Sequence, residues 1–351
     1  MNTSKVKTVA VGLLSGGLDS TLAARVLQDQ GIDVRALNFT SPFCCCTPRG
    51  NSCAAVVRSV TQLGNIPLKR ISLGQEYLDM VCRPRHGYGR NMNPCLDCRI
   101  IKLRRAHEYM RQIGAHFMFT GEVLGQRPMS QHLQALELID RECGLTGLIL
   151  RPLSASLLKP TQPERLGWVD RGKLLAISGR SRKNQIRIAA EKNIVDYPCP
   201  AGGCLLTDTH FAGKLREWLR NGFGLTVRDV ELLKIGRHGF LTNGDRLIMA
   251  RNQDECLKLE KLAGSDDYLF VPENFSGASV LFSGNAPEVI LNNIGFFGKK
   301  TPRRGASIRC FHQGRNSLLI LPVSGPGEDS TACDSFSGNP AMSGSAGNIS
   351  R

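Results

Sequence analysis

Apolar and polar positions in residues 1 to about 205 follow a pattern that predicts strands and helices in turn. Short apolar runs are typical of buried strands, and apolar positions three to four residues apart predict helices. The predicted elements are strands at 9–14, 33–39, 68–73 and 115–120 and helices at 18–30, 54–63 and 75–81. This alternation favours an α/β fold with a doubly wound parallel sheet, in which ligands bind beyond the carboxyl ends of the strands.

A longer helical pattern follows Asn93 and Pro94. Asn93 suits an N-cap, Pro94 suits the first helical position, and apolar residues recur every three or four positions up to Ile113. Another amphipathic helix is predicted over residues 207–220, with Asp208 as its cap.

The pattern changes after residue 222. Residues 223–323 carry short strand-like runs separated by Gly and Asn turns, which predicts a smaller α+β domain. Residues 324–351 are rich in Ser, Gly, Pro and Asn, which predicts a disordered tail. The predicted organisation is therefore an α/β domain over 1–222, a second domain over 223–323 and the tail.

Composition narrows the class of protein. The 351 residues hold 45 Lys and Arg against 30 Asp and Glu, a formal net charge of +15, which favours a polyanionic partner. No apolar stretch approaches the ~20 residues of a membrane span, and the first residues show no signal-peptide core. We therefore expect a cytoplasmic protein without a membrane partner. Thirteen cysteines in that compartment favour metal, cluster or sulfur chemistry over disulfides.

The junction between the first strand and the first helix predicts a phosphate site, with the sequence Ser15-Gly16-Gly17-Leu18-Asp19-Ser20. The paired glycines let backbone N–H groups approach an anion, and the new helix directs its N-terminal dipole toward it. No Lys follows, so the segment is not a Walker loop. Asp19 beside a phosphate requires a bridging divalent cation, which suggests Mg²⁺.

This hexapeptide resembles the PP-loop of the ATP pyrophosphatases. The resemblance implies that the loop binds the β- and γ-phosphates of ATP and that the products are an adenylated substrate and pyrophosphate. It also implies that Asn38 and Phe39, at the end of the second strand, and Gly121, after a later strand, contact the adenosine. That superfamily includes enzymes of small molecules and enzymes of tRNA.

Cys95 and Cys98 form a second candidate site. They fall in the first turn of the helix predicted after Pro94, where the helix dipole favours the thiolate, and Lys102 and Arg105 add positive charge on the same face. A Cys-x-x-Cys pair is compatible with a redox pair, half a zinc site or part of an iron–sulfur site.

Further cysteines extend the candidate set: Cys199 and Cys204 lie in a Pro- and Gly-rich segment near the end of the α/β domain. Three thiolates would hold a [4Fe-4S] cluster with one iron open to sulfide, whereas four would close the site, as structural zinc prefers. Another group of cysteines follows the second strand. It could act as a sulfur relay, form a second metal site, or lie in a loop without function. Its members are Cys44, Cys45, Cys46 and Cys53.

The surroundings of Cys98 resemble the tRNA thiouridine synthetases. Residues 93–98, Asn-Pro-Cys-Leu-Asp-Cys, are similar to the Asn-Pro-Asp-x-x-Cys region of the bacterial tRNA 2-thiouridylases, with Cys95 in place of the aspartate. Residues 120–131 and 151–153 resemble the tRNA 4-thiouridine synthetases. This resemblance, over residues 6 to about 220, implies tRNA thiolation with Cys98 as the catalytic cysteine and Cys199 or Cys204 as its partner. It does not decide which uridine is modified.

Three basic clusters fit an RNA partner. Residues 83–111 hold eight Lys and Arg, residues 180–187 hold four, and residues 295–315 hold six. Phosphate contacts together with aromatic stacking are how a protein binds folded RNA. Residues 235–240 and 249–256 resemble the RNA-binding domain of the NFACT family, which implies that the predicted domain over 223–323 binds RNA.

The combined hypothesis is an ATP-dependent tRNA thiouridine synthase. ATP would bind at residues 15–20 with Mg²⁺ held partly by Asp19, and the uridine carbonyl oxygen would attack the α-phosphate. Sulfide on a [4Fe-4S] cluster at Cys95, Cys98 and Cys204 (or Cys199) would then replace the oxygen. A persulfide on Cys98 is the variant without a cluster.

The hypothesis leaves several points open. The sulfur donor is either a cysteine desulfurase or free sulfide, and the oligomeric state is undetermined. A PP-loop enzyme that adenylates a small molecule and a zinc-stabilised RNA-binding protein are the alternative functions.

Overall fold

The computed structural model describes residues 7–44, 52–197, 204–241, 244–298 and 305–320. Three of the candidate cysteines, Cys45, Cys46 and Cys199, lie outside these residues, as do the side chain of Cys53 and the tail over 324–351. The chain divides into two compact units, Met1–Val230 and Glu231–Arg351. The predicted boundary after residue 222 lies eight residues before this division.

The first unit alternates strands and helices. Its strands are β1 (Val9–Leu13), β2 (Asp33–Thr40), β3 (Leu68–Ser72), β4 (Phe117–Thr120) and β5 (Ile149–Leu150). Its helices are α1 (Leu18–Gln28), α2 (Ser52–Gln62), α3 (Gln75–Cys82), α4 (Cys95–Gln112), α5 (Leu133–Glu142), α6 (Gln162–Arg165), α7 (Lys183–Glu191) and α8 (Thr209–Arg220). The four strands and the three helices before α4 that the pattern predicted agree with these bounds to within two residues.

The sheet of the first unit has the order β3-β2-β1-β4-β5, and all its strands are parallel. The chain adds β2 and β3 on one side of β1 and then crosses to add β4 and β5 on the other. The carboxyl ends of β1 and β4 therefore flank the point at which the strand order reverses, where such sheets bind their ligands. The prediction of a doubly wound parallel α/β fold is confirmed.

Two apolar cores cover the two faces of this sheet, because successive strand residues point to opposite sides. On one face, Ala10 and Phe117 pack with the buried residues of α1. On the other face, Val11 and Met118 pack with Ile100 and other residues of α4 and α5. The sheet is thus enclosed by helices on both sides, as a parallel sheet requires.

The start of α4 differs from the prediction. The helix begins at Cys95 with Pro94 as its N-cap residue, and no side chain caps it. Asn93 therefore does not act as the N-cap; its carbonyl oxygen accepts from the backbone N–H of Cys95 at 3.0 Å. The Asp208 cap on α8 is present, since its side chain accepts from the N–H of Phe211 at 2.8 Å.

The second unit is built on an antiparallel sheet of order β11-β10-β8-β9-β7-β6. Leu247, Phe270 and Phe282 form the core on one face, and Ile248 packs with Cys256 and others on the opposite face. The strands are β6 (Arg237–Phe240), β7 (Arg246–Met249), β8 (Tyr268–Pro272), β9 (Val280–Ser283), β10 (Ser307–His312) and β11 (Arg315–Ile320). The helices are α9 (Val227–Leu233), which crosses the boundary, α10 (Gln253–Leu262) and α11 (Glu288–Leu291).

Within the described segments, no helix has both the length and the apolar character needed to cross a membrane.

Candidate nucleotide and thiol site

The loop after β1 is held together by the Ser20 hydroxyl group. Ser20 Oγ donates to the carbonyl oxygen of Gly17 at 3.0 Å and accepts from the backbone N–H of Ser15 at 3.3 Å. Gly17 is the N-cap residue of α1, and no side chain caps this helix. The first-turn N–H groups, which carry the positive end of the helix dipole, therefore face the loop without a side-chain acceptor.

Gly16 and Gly17 differ in what their missing side chains make room for. Gly16 has φ +79°, and a Cβ there would lie 2.6 Å from the backbone nitrogen of Val56, so the chain itself requires glycine. Gly17 has an ordinary φ of −87°. A Cβ at Gly17 would meet only Ser15 Oγ, at 3.5 Å. The space beside Gly17 is therefore open to a ligand.

Asp19, in the first turn of α1, has one engaged and one unengaged carboxylate oxygen. Its Oδ2 accepts from Arg182 and from Gln126, each at 3.1 Å. Its Oδ1 is buried and has no hydrogen-bond partner. A buried anionic oxygen without a partner is costly, and a hard divalent cation is the kind of ligand that satisfies it. The free carboxylate oxygen of Asp19 is therefore a suitable ligand for the predicted Mg²⁺ ion.

The three residues expected to contact adenosine each have a structural contact as well. Asn38 is buried and donates from Nδ2 to the carbonyl oxygen of Leu14 at 2.8 Å, which holds the end of β1. Phe39 is half-buried against the core on the α4 side. Gly121 packs on the first turn of α1, where a Cβ would lie 2.5 Å from both N and Cα of Ser20. The structure places Asn38 and Gly121 at the carboxyl ends of β2 and β4, beside the loop.

Cys98 lies in a group of thiols and cations on the first turn of α4. The Tyr77 hydroxyl on α3 donates to Cys98 Sγ at 3.3 Å. Burial raises the pKa of Cys98, but Lys102, the Tyr77 hydrogen bond and Arg99 outweigh it, so the pKa is lowered. For Tyr77 itself, burial and then the neighbouring Cys98 raise the pKa. Cys98 is therefore the thiol of this site that the surroundings favour as a thiolate.

Cys204 and Cys44 belong to the same neighbourhood, because both act on the pKa of Tyr77. Cys204 pairs with Cys44 through an isolated antiparallel β-bridge. Burial, followed by the charges of Cys98 and Cys44, raises the pKa of Cys204 to about 12. The predicted pairing of Cys98 with Cys204 is thus spatially possible, and Cys44 from the second-strand loop joins the same group.

Arg127 connects the thiols to the loop after β1. Its guanidinium lies within electrostatic range of Asp19 and Cys95, and also of Arg99 and Arg182. Within the described ranges, Arg127 is in no ion pair. Burial and then Cys98 raise the pKa of Cys95 against the opposing effect of Arg99 and Arg127. Asp19 and Cys95 therefore line one cationic region between the PP-loop segment and the thiols.

The predicted cluster ligands are Cys95, Cys98 and Cys204, with Cys199 as the alternative. Among the described residues, no three or more His, Cys, Asp or Glu side chains are arranged to hold a metal ion. A [4Fe-4S] cluster is larger than a single ion, so its thiolate ligands stand farther apart. The donor set Cys95, Cys98 and Cys204 fits a cluster in chemistry, since thiolates are its ordinary ligands.

A buried ion-pair network lies beneath the site. Glu122, which is 2% exposed, accepts from Arg151 Nε and from Thr120 Oγ1 at 3.1 and 3.0 Å. Arg151 also makes a bidentate contact with Asp140 at 2.7 and 2.9 Å. Arg99 Nε lies 3.4 Å from the other Glu122 oxygen. Glu122 thus joins α4, which carries the thiols, to the end of β4, which carries Gly121.

Several side chains of the basic clusters form ion pairs with acidic residues, which the sequence did not indicate. In the first cluster, Arg85 pairs with Glu142, and Arg105 pairs with Glu76 and Glu108. In the second cluster, Arg182 pairs with Asp19 and Arg187 pairs with Glu191. Lys183 is exposed and in no ion pair within the described chain. Part of the third cluster, residues 299–304, lies outside the described residues.

Sequence reasoning missed Tyr77 and the pairing of Cys44 with Cys204. Gln126 and Arg127 lie within the segment 120–131 that was singled out, but it gave them no role. Tyr77 showed no signal, because a tyrosine in a short amphipathic helix is an ordinary core residue.

Comparisons with known proteins agree with this site. Residues 5–157 match the family model described as "Thiamine biosynthesis protein (ThiI)". The tRNA-specific 2-thiouridylase MnmA of Dichelobacter nodosus is 28% identical over 232 residues, 62% of this chain and 57% of that protein. The MnmA of Listeria monocytogenes is 27% identical over 249 residues, 68% of this chain and 62% of that protein. The chain thus spans about 60% of the length of these relatives.

A solved 4-thiouridine synthetase–RNA complex with bound ATP is also similar, at 20% identity and a TM-score of 0.37 over 65% of this chain and 52% of that one. The family match includes the segment from the first strand to the thiols on α4. Over residues 5–157 the chain is thus similar to the ThiI family, and over about 60% of their length it is similar to tRNA-specific 2-thiouridylases.

Proposed function

We propose that this protein is an ATP-dependent tRNA thiouridine synthase. The observation that carries the proposal is the segment after β4: Gln126 donates to Asp19 Oδ2 at 3.1 Å, and the next residue, Arg127, acts on Cys95. A loop that binds ATP and a set of thiols can act in one reaction only if the substrate group that ATP activates can reach both. The names of the MnmA relatives, tRNA-specific 2-thiouridylases, supply the substrate class.

Activation of the uridine would take place at the loop after β1. The open space beside Gly17 and the uncapped first turn of α1 suit the phosphates of ATP. Asp19 Oδ1 would share a Mg²⁺ ion with them. The uridine carbonyl oxygen attacks the α-phosphate and pyrophosphate leaves, so the ring carbon becomes bonded to an adenylate, a better leaving group than oxide.

Sulfur transfer would use the thiols. A sulfur donor loads Cys98 as a persulfide, and its terminal sulfur attacks the activated ring carbon while AMP leaves. The base is then linked to Cys98 through a disulfide. Cys204, which lies beside Cys98, attacks Cys98 Sγ; the thiolated base is released and a Cys98–Cys204 disulfide forms.

An iron–sulfur cluster is the other form of this proposal, and it excludes the persulfide route because the same thiols would be its ligands. Cys95, Cys98 and Cys204 (or Cys199) would hold it. It would supply the sulfide that replaces the oxygen of the activated base. Lys102 and Arg99, which act on Cys98, would offset the negative charge of the thiolates.

The tRNA and the location complete the proposal. Exposed cations such as Lys183 would contact the phosphate backbone, and the second unit would add RNA contacts. The target base has to leave its stack to enter the crevice. We place the enzyme in the cytoplasm.

Two measurements test the function. Pyrophosphate release from ATP should rise several-fold on addition of unmodified tRNA, and nucleoside mass spectrometry should detect thiouridine when a sulfur donor is present. Cys98→Ala should retain pyrophosphate release and lose thiouridine. Pyrophosphate release that ignores tRNA but responds to a small metabolite would replace this proposal with a small-molecule PP-loop enzyme.

The cluster has its own test. If the cluster form of the proposal holds, anaerobically purified protein contains iron and sulfide and absorbs in the 400 nm region, and Cys98→Ala loses both. Protein without iron supports the persulfide route. Zinc in a colourless protein would favour a structural metal site instead.

A further inference from the structure

Cys44 and Cys204 occupy a particular kind of strand pairing. They are the bridged residues of an isolated antiparallel contact. The backbone N–H of Leu205 donates to the carbonyl oxygen of Phe43 at 3.0 Å, whereas the N–H of Cys44 bonds to Ser41. The hydrogen bonds thus flank the pair instead of joining it, which makes Cys44 and Cys204 a non-hydrogen-bonded pair.

That pairing places the two cysteines within disulfide geometry. Residues at non-hydrogen-bonded antiparallel positions have Cα atoms about 4.5 Å apart and side chains on the same face. Protein disulfides usually span Cα separations of about 4.4–6.8 Å. Both cysteines are free thiols, and in this reduced form Cys44 Sγ accepts from the N–H of Ser41 at 3.3 Å. Formation of the disulfide requires the Cys44 side chain to leave its contact with Ser41.

Cys204 therefore has two partners for one sulfur. Cys44 lies across the bridge from it, and Cys98 acts on its pKa. The Tyr77 hydroxyl donates to Cys98 Sγ at 3.3 Å, and Cys204 and Cys44 both raise the pKa of Tyr77. This arrangement is that of a three-thiol exchange, in which the middle cysteine passes from one disulfide to another.

We propose that Cys44 is a resolving thiol that forms a disulfide with Cys204 and thereby frees Cys98. The Cys44 thiolate attacks Cys204 Sγ, the Cys98–Cys204 bond breaks, the Cys44–Cys204 bond forms, and Cys98 leaves as a thiolate that takes up the proton lost by Cys44. No oxidant enters this step. A small-molecule or protein dithiol then reduces the Cys44–Cys204 disulfide. The exchange rests on the persulfide route of the proposed function, because only that route supplies the Cys98–Cys204 disulfide. The pairing of Cys44 with Cys204 does not depend on the function.

The experiment maps disulfides in a Cys45→Ser, Cys46→Ser, Cys199→Ser background, which leaves Cys44 and Cys204 alone in their tryptic peptides. The protein is equilibrated with oxidised and reduced glutathione, alkylated and analysed by mass spectrometry. We expect Cys44–Cys204 to be the main linkage. Adding Cys98→Ser should leave it in place, and adding Cys44→Ser should shift the linkage to Cys98–Cys204. A main Cys98–Cys204 linkage while Cys44 is present, or Cys44 recovered fully alkylated, would overturn the proposal.

A second arm repeats the map after turnover with ATP, tRNA and a persulfide donor. Accumulation of Cys44–Cys204 in proportion to thiouridine supports the exchange, and Cys98–Cys204 accumulating instead contradicts it. If no thiouridine forms while glutathione still yields Cys44–Cys204, the proposed function fails and the pairing stands. Circular dichroism of each variant checks that it is folded, and the Cys44-containing background protein gives the decisive map without any change at Cys44.

Discussion

Gly17 and Gly121 offer a contrast between a glycine needed by a ligand and a glycine needed by the fold. At Gly17 an alanine Cβ has no neighbour closer than Ser15 Oγ at 3.5 Å, and φ is −87°. We therefore expect Gly17→Ala to change the free energy of unfolding by less than about 1 kcal/mol. Its Cβ would nevertheless occupy the space proposed for a phosphate, so ATP binding should weaken at least about tenfold, equivalent to ~1.4 kcal/mol.

Gly121→Ala should damage both stability and activity. Its Cβ would lie 2.5 Å from backbone atoms of Ser20 and 2.7 Å from the carbonyl carbon of Asp19. Because ordinary contact begins at 3.4 Å, the first turn of α1 would have to move by about 0.9 Å. Overpacking of this kind costs about 1–3 kcal/mol. A displacement near 1 Å at a reacting group can lower the rate about a hundredfold.

Thermal unfolding with and without Mg-ATP, together with pyrophosphate release, separates the two cases. Gly17→Ala should unfold at the wild-type temperature and show no ATP-induced rise. Gly121→Ala should unfold at a lower temperature. Gly74→Ala, where a Cβ would meet nothing within 4 Å, serves as the control and should behave as wild type. A Gly17→Ala protein that binds ATP with unchanged affinity would refute the placement of the phosphates beside Gly17.

The remaining predictions concern Asp19, Glu122 and Lys183. Asp19→Asn should leave the fold intact and reduce Mg²⁺-dependent pyrophosphate release by about a hundredfold or more. Asp29→Asn, at the other end of α1, should leave pyrophosphate release unchanged. Equal activity of the two variants would exclude Asp19 as a cation ligand. Glu122→Gln should lower the free energy of unfolding by about 3–5 kcal/mol, because it leaves Arg151 and Arg99 without a buried counter-charge. Glu137 is an exposed partner of Lys159, so the control Glu137→Gln should change the free energy of unfolding by less than about 1 kcal/mol. Burial raises the pKa of Glu122, but Arg99 and Arg151 outweigh burial and the pKa is lowered. The contribution of Glu122 to the free energy of unfolding is therefore present above its unfolded-state pKa and lost as pH falls through its folded-state pKa. Denaturant titrations should show the free energies of unfolding of wild type and Glu122→Gln converging toward acid pH. Lys183→Ala should weaken tRNA binding and reduce the slope of log affinity against log salt by about 1, and an unchanged slope would remove Lys183 from the RNA surface.

The fold of the first unit could be predicted because its signals are local. The apolar runs of β1 and β4 are nearly continuous, and the Ser15–Ser20 segment marks where the chain turns into α1. The start of α4 could not be placed to the residue, because Asn93 has the side chain of a good cap and yet uses its backbone carbonyl instead. Capping depends on the direction of the incoming chain, and the sequence alone does not contain that direction.

The candidate site was predictable in its members more than in its contacts. Cys95 and Cys98 were found by their spacing, and Asp19 was found by its place in the loop. The bridge that joins Cys44 to Cys204 depends on a contact between segments 160 residues apart, which no local pattern specifies. The free charge of the basic clusters was overestimated for the same reason, since Arg85 pairs with Glu142 and Arg182 with Asp19 across long stretches of chain.

The unequal oxygens of Asp19 bear on how a metal ion would be used. Arg182 and Gln126 already occupy Oδ2, so this side chain can offer an ion only Oδ1. A single protein oxygen is a weak hold for Mg²⁺, which retains several waters and takes its other ligands from the phosphates of its nucleotide. The ion would then bind as a complex with ATP and leave with pyrophosphate, so it would not be a permanent ligand of the protein.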